Sequence, residues 1–533
     1  MGSTSPPPPR FDIQKIAVVG AGPSGLAVAK YLLAQNAFAQ VDVFEQQAEV
    51  GGVWNYSAVP RPGAELRVPQ TSAFPGWLEG PVYVEEGNGK REGKGEGEGR
   101  KPLFPSPMYD DLNTNIPHTI MKYSDLSFRD GCEIFPRRED VQAYLVQYAK
   151  DVRHRIRFST QVTDISLQEK NVHKPWEERD QWDVSTTDLV TGEKSRDVYD
   201  AVVVASGHYS TPYIPDGIAD IKAFHEAHPG VISHSKLYRN AESYRGKKVV
   251  VVGTGASGLD IAAQIRRVSQ SPLIVSAREG VTEETLEHFG AGKFAQVGQI
   301  KRFLVEERGV EFYPLEDEEK KGSDAAETEG KEGPAVIEKD VDAVLFCTGY
   351  LFTFPFLTTL ADPPLVTDGR RVYGLAKHFL HINHPTLAFP GLPIKVIPFP
   401  LTEAQGSVLA RLWSNTLPLP SRSALEAIER EDGDGTDPGK YHVFPKGGDG
   451  RYINELHDWV MRDGGGKEGG KEPPYWDGEL LWQRGIYIEA KMQFEKTGKS
   501  AKTLAELGFR YEPQDAKSVE DVERTEGAGD IAG

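Results

Sequence analysis

Two short stretches of this sequence carry residues whose types and spacing could do chemistry, and they resemble each other. Gly20-Ala21-Gly22-Pro23-Ser24-Gly25 follows the apolar run K-I-A-V-V and opens a stretch of helical periodicity; Gly253-Thr254-Gly255-Ala256-Ser257-Gly258 follows K-V-V-V-V and does the same. In such a unit the first glycine permits a tight turn. The second lets the backbone approach a pyrophosphate, and the third lets helix and strand pack closely. Free N–H groups and the positive end of the helix dipole then favour an anion. Glu45 stands 20 residues beyond Gly25 and suits a ribose 2′-hydroxyl. Arg278 stands 20 residues beyond Gly258 and suits the 2′-phosphate of NADP instead. Two dinucleotide sites on one chain imply electron transfer between a tightly held flavin and an exchanging nicotinamide.

Such turns need parallel strands behind them. Apolar runs at 15–19, 41–44, 201–205, 248–252, 273–276 and 342–347 read as strands, and 25–33 and 258–265 read as helices. The expected fold class is α/β, with two Rossmann-like dinucleotide-binding domains in an FAD/NAD(P)-binding two-domain architecture. Asp200-A-V-V-V-A-S-Gly207 and Asp342-A-V-L-F-C-T-Gly349 form a second internal echo, read as hinge strands. This gives a disordered N-terminus at 1–14 and a flavin domain in two pieces, 15–207 and 342–513. A nicotinamide domain is inserted at 208–341, and an acidic tail occupies 514–533. Three stretches rich in Gly and charge, about 85–101, 316–334 and parts of 429–474 (chiefly 431–474), read as solvated insertions that do not fold.

Composition narrows the partners. The 533 residues carry a formal charge of −18. That argues against nucleic acid or an anionic membrane surface, which need clustered cations. No run of about 20 apolar residues suggests a membrane anchor, and the first residues lack the apolar core of a signal peptide. Two cysteines, Cys132 and Cys347, are too few for a disulfide framework or a structural zinc site, and no metal site is expected. They point to a reducing compartment, the cytoplasm. No C-x-x-C dithiol exists to take electrons from a flavin, which leaves dioxygen as the acceptor.

Beyond these units the chain resembles the flavin-containing monooxygenases that oxygenate nitrogen and sulfur, over most of 15–415. The most specific piece is His228-Pro-Gly230-Val-Ile-Ser-His234-Ser-Lys-Leu-Tyr238, against a family pattern F-x-G-x-x-x-H-x-x-x-[YF]. Gly230, His234 and Tyr238 match, and His228 replaces the leading aromatic. Tyr238 favours the heteroatom-oxidising branch, because related Baeyer–Villiger enzymes typically carry Trp there. Gly51-Gly52-Val53-Trp54 resembles the segment along the flavin. Leu112-Asn113-Thr114-Asn115-Ile116-Pro117 resembles the stretch under the isoalloxazine, which makes Asn115 the active-site asparagine beside Thr114. Thr160-Gln161-Val162 resembles the strand that meets the adenine. Pro398-Phe-Pro-Leu-Thr402-Glu-Ala-Gln405 resembles the C-terminal part, and Thr402 with Gln405 also makes a capping box for a helix ending before Pro418.

The resemblance implies FAD and NADPH as cofactors, and an amine or sulfide with dioxygen as substrates. NADPH reduces the flavin, a 4a-hydroperoxyflavin forms, and the substrate attacks its distal oxygen while NADP⁺ and Asn115 shield it. This is the N,N-dimethylaniline monooxygenase type of reaction. A Baeyer–Villiger oxygenase, an uncoupled NADPH oxidase and a flavin-binding scaffold without turnover are the rival readings. The soluble tail and Gly-rich insertions give the chain a fungal or microbial character. Oligomeric state stays open, a homodimer among the options.

Overall fold

The computed structural model describes residues 11–58, 66–73, 78–85, 100–168, 180–278, 280–282, 294–315, 335–357, 360, 363–433 and 437–513. The N-terminal ten residues, most of the stretch 85–101, all of 316–334 and the tail 514–533 lie outside these, so the readings made for them lie outside the described residues.

Valine-rich runs with no polar alternation make strands buried on both faces. Lys15–Val19 and Ala201–Val204 are of this kind, and with Gln40–Phe44 and the short Ile156–Arg157 they run parallel in a seven-stranded sheet, with three short strands between Leu375 and Ala388 completing one edge. A second sheet of five parallel strands has the order Ile232–His234, Ala343–Phe346, Val249–Val252, Leu273–Ser276, Phe294–Val297. Each sheet holds one glycine turn at the C-terminal end of an inner strand. This is the α/β class, with two sheets that each end one inner strand in a glycine turn.

The internal echo has a physical cause. The Asp200 carboxylate accepts the N–H of Lys15, 2.9 Å away, just as that of Asp342 accepts the N–H of Lys248 at 2.9 Å. In each sheet an aspartate pins the start of the neighbouring glycine-turn strand. The two crossing segments lie side by side, because Thr211–Pro212 pairs antiparallel with Tyr350–Leu351.

Three expectations are corrected. First, Ala343–Phe346 pairs with Val249–Val252 and Ile232–His234, so it belongs to the second sheet. The chain returns to the first sheet only past Gly349, not at 342. Second, the Gly-rich stretch near 429–474 folds where it is described, as the end of the helix Arg422–Gly433, the helix Gly448–Asp463 and the short turn Gly466–Gly469. Buried Ile453, Leu456 and Val460 give that second helix an apolar face. The wholly buried Arg411 donates to the carbonyls of Gly464, Gly466 and Lys471 at 3.1–3.2 Å. Glycine serves close approach here, since a Cβ on Gly469 would stand 2.1 Å from the Gly464 oxygen. Third, Thr402 and Gln405 form no capping box. The helix runs Pro398–Trp413 and starts with proline, so both residues are inside it. Thr402 Oγ1 donates to Phe399 O at 2.9 Å, and Gln405 turns to other partners.

Candidate functional site

The two glycine turns are built alike. Gly20 and Gly253 have φ of 101° and 105°, the left-handed region that favours glycine. A Cβ on Gly25 would come within 1.9 Å of the Gly20 oxygen, and one on Gly258 within 2.1 Å of the Gly253 oxygen. No other residue lets the helices Pro23–Ala34 and Ala256–Ile265 start so close to their strands. Both helices begin at a glycine, with no side-chain cap and no acid in the first turn. Their leading N–H groups are therefore left for an outside acceptor.

A cavity of about 480 Å³ opens between the two units. Among the sequence-derived residues, Gly20, Gly22, Pro23, Ser24, Glu45, Gly52, Val53, Trp54, Thr114, Asn115, Val162 and Ser257 line it. Gly22 and Gly52 face each other across its wall: a Cβ on Gly52 would stand 3.1 Å from the Gly22 Cα. The pair leaves a trough free of side chains. Glu45 sits at one end, 4 % exposed. Its carboxylate accepts the N–H groups of Ala21 and Gln47, each at 2.8 Å. Burial pushes its pKa up to about 7 against those bonds. Bare backbone, a helix N-terminus and a buried acceptor are the donor set that an adenine dinucleotide such as FAD requires, so the residues present fit it.

The other named residues stand outside the lining. Gly25, Gly253 and Gly258 shape the turns from beneath. Gly255 and Ala256 are exposed at the second turn. Gln405 acts from behind: its Oε1 accepts the N–H of Gly391, a lining residue, at 2.8 Å, and its Nε2 donates to the Tyr452 hydroxyl at 3.0 Å. Gly230 has φ of 83° in an exposed turn. His234 is fully buried. Its Nδ1 accepts the N–H of Lys236 at 3.1 Å, so Nε2 carries the proton and donates to Gly349 O at 3.1 Å. Burial pushes its pKa down to about 3, and it stays neutral as a link to the returning crossing segment. Tyr238 is buried and donates to Gln264 Oε1 at 3.0 Å.

Arg278 falls one position away from the place its spacing suggests. Gly20 N donates to Phe44 O, and Glu45 follows; Gly253 N donates to Ser276 O, and Ala277 follows. The counterpart of Glu45 is thus the buried Ala277, with Arg278 next to it and exposed. The second turn lacks the acid and has a solvent-facing cation beside the gap.

Sequence reasoning missed Ser106, Tyr109, Ser235, Lys236, Tyr350 and Lys395 on the cavity wall. Ser235 and Lys236 lie inside the His234–Tyr238 motif, whose spacing was the available signal. Lys236 Nζ forms an ion pair with Glu79 at 3.2 Å. Among the described residues, Cys132, Glu133 and Asp140 form one group close enough to hold a cation. Asp140 is already paired with Arg129 at 2.8 Å, and none of the three lines the cavity. No helix among the described residues is long and apolar enough to cross a membrane.

The model of flavin-binding monooxygenase-like proteins matches residues 98–286, and that of NAD(P)-binding Rossmann-like domains matches 18–75. The chain is 27 % identical over 483 residues to the thiol-specific monooxygenase of Saccharomyces cerevisiae, covering 88 % of this chain and 90 % of that one. It is 30 % identical over 420 residues to the flavin-containing monooxygenase FMO GS-OX-like 3 of Arabidopsis thaliana, covering 77 % and 78 %. Its fold is similar to that of the S-allyl-L-cysteine S-oxygenase from Allium sativum, with a TM-score of 0.66 and 22 % identity over 96 % of this chain and 99 % of that one.

Proposed function

The chain belongs to the flavin-containing monooxygenases, and on that premise we propose that it uses NADPH and dioxygen to oxygenate a soft nucleophilic sulfur of a small molecule, with amines as a second substrate class. The observation that carries the reading is one cavity lined by Gly20, Gly22, Pro23 and Ser24 of the first glycine unit, by Ser257 of the second, and by Asn115. Sulfur is placed first because the yeast relative is named a thiol-specific monooxygenase and the garlic neighbour an S-oxygenase.

Bound flavin supplies the electron relay from nicotinamide to dioxygen and the activation of that oxygen. The protein's part is to bind, orient and keep water out. Gly20, Gly22 and Gly52 leave room for the flavin's pyrophosphate at the start of the helix Pro23–Ala34, and Glu45 accepts its ribose hydroxyl. Gly253, Gly255, Ala256, Ser257 and Gly258 offer the second helix start to the nicotinamide dinucleotide. Arg278 pairs with the 2′-phosphate, which favours NADPH over NADH. Thr114 is held by its N–H to Pro136 O at 2.8 Å and by its hydroxyl to Ile116 O at 2.8 Å. That fixes the backbone of the neighbouring Asn115. An asparagine there donates and accepts hydrogen bonds without delivering a proton. Apolar Trp54, Ile116, Met121 and Phe356 line the same cavity and exclude water from the reacting oxygen.

Replacing Asn115 tests this. Asn115→Ala should keep its flavin and still oxidise NADPH, with most of the electrons leaving as hydrogen peroxide instead of sulfoxide. Peroxide and product are measured together against NADPH consumed. Tight coupling to product in this variant would remove Asn115 from the reaction.

A further inference from the structure

A buried polar cluster outside the roles assigned so far spans the two units. Asp260 lies on the helix Ala256–Ile265, one residue before the lining residue Ile261. The Tyr109 hydroxyl donates to Asp260 Oδ2. The same oxygen accepts Gln264 Nε2 at 3.1 Å, and Gln264 Oε1 accepts the Tyr238 hydroxyl at 3.0 Å. The rings of Tyr109 and Tyr238 meet edge to face, 5.3 Å between centroids. Tyr109, Tyr238 and Gln264 are 5 %, 2 % and 7 % exposed. Asp260 itself is half-buried, yet setting its carboxylate among these groups is costly, and burial raises its pKa. An apolar residue would pack there more cheaply.

Tyr109 belongs to the segment that ends in Asn115, and this segment is fastened on both sides. Toward the first unit, Ser106 Oγ donates to Val53 O, and the Tyr56 hydroxyl donates to Asp110 Oδ1 at 2.6 Å. Toward the second, Asp110 N donates to Arg239 O at 2.8 Å, and Asn240 Nδ2 donates to Asp110 Oδ2 at 3.0 Å. The hydroxyl of Tyr109 reaches the helix whose start would hold the nicotinamide dinucleotide.

We propose that Asp260 is a positioning residue: through Tyr109 it ties the dinucleotide-binding helix to the segment carrying Asn115, so that a dinucleotide held by that helix fixes where Asn115 stands against the flavin. The motif tyrosine Tyr238 serves the same tie by holding Gln264 against Asp260. This inference rests on the reading of Asn115 and NADPH given above.

The test uses the flavin-loaded full chain with NADP⁺ as probe, in Asp260→Asn and Tyr109→Phe. The second removes a single oxygen and guards against a folding failure in the first. Calorimetry measures NADP⁺ binding, and the change in the flavin absorption spectrum at saturating NADP⁺ reports the surroundings of the flavin. Both variants are expected to keep their flavin and bind NADP⁺, yet lose most of that spectral change and leak several-fold more peroxide per NADPH. The double variant Asp260→Asn/Asn115→Ala should leak no more than Asn115→Ala alone, because both act through one residue. A merely structural role would lower the unfolding temperature and leave the spectral change intact. A wild-type spectral change in both variants, or leaks that add, would overturn the tie. If the wild type fails to bind NADP⁺, the premise itself fails; if Asn115→Ala alone stays coupled, the role of Asn115 fails and the spectral arm still judges the tie.

Discussion

At the first glycine turn Gly22 meets Gly52 closely, a Cβ on Gly52 standing 3.1 Å from the Gly22 Cα, and Glu45 is buried behind it. At the second turn a Cβ on Gly255 would meet nothing within 4 Å among the described residues, and Gly255, Ala256, Ser257 and Arg278 are all exposed. Beneath the surface the turns match in glycine φ, in helix approach and in the aspartate that pins the strand. What differs is the cover. Among the described residues the first turn is roofed by the 51–54 segment, and none covers the second in the same way. On the proposed function, a dinucleotide at the first would be enclosed and held, and one at the second would exchange. That is the division of labour expected of a held flavin and a nicotinamide that comes and goes.

The contrast can be broken most severely at the third glycines. Gly25→Ala and Gly258→Ala place a Cβ about equally close to backbone oxygen, and no side chain can relieve either clash. Gly25→Ala should yield protein without flavin. Gly258→Ala should stay yellow but show NADPH reduction slowed at least about 100-fold, the loss expected when a dinucleotide is misplaced by about 1 Å. Absorbance of the purified protein and rapid-mixing reduction separate the two. Equal flavin loss in both would mean that the units fold as one and the contrast is not functional.

Arg278→Ala comes next. Hydrogen bonds to a charged group contribute about 1.5–3 kcal/mol, so KM for NADPH should rise about 10- to 100-fold while KM for NADH stays within about twofold. Parallel initial-rate series with the two coenzymes read this directly. Equal changes for both would take the 2′-phosphate away from Arg278.

The smallest effect sharpens the first turn. In the flavin-free protein burial holds Glu45 neutral below about pH 7. A folded-state pKa above the unfolded one contributes stability that is present below the unfolded value, near 4.5, and is lost as pH rises through about 7. A ribose hydroxyl donates to the carboxylate and favours its ionised form. Flavin affinity of the flavin-free protein should therefore strengthen about tenfold between about pH 6 and pH 8. Glu45→Gln should flatten that dependence. Titration by flavin fluorescence quenching at the two pH values checks it.

How far the sequence reached follows from which contacts are local. Strands at 15–19 and 273–276 were legible to the residue, because a run of valine and isoleucine between turns has few other uses. The glycine turns were legible because their purpose is local close approach. The Gly-rich stretch near 429–474 was misread for the same reason in reverse: composition does not distinguish glycine that is solvated from glycine packed against Arg411. Thr402 and Gln405 matched a helix-start pattern, yet Pro398 had already begun the helix. The one-residue offset of Arg278 shows only in the register of two strands. The Tyr109–Asp260 contact joins residues 151 apart in sequence, and no spacing rule reaches that far.

Oxygen transfer itself is the most direct test. Purified flavin-loaded protein would be given NADPH, isotopically labelled dioxygen and in turn a thioether, a thiol and an amine, with peroxide measured alongside product. The expected result is a sulfoxide carrying one labelled oxygen for each NADPH consumed, with little peroxide. NADPH left unconsumed, or consumed entirely to peroxide with no labelled product from thioether, thiol or amine, would contradict a monooxygenase built on these two turns.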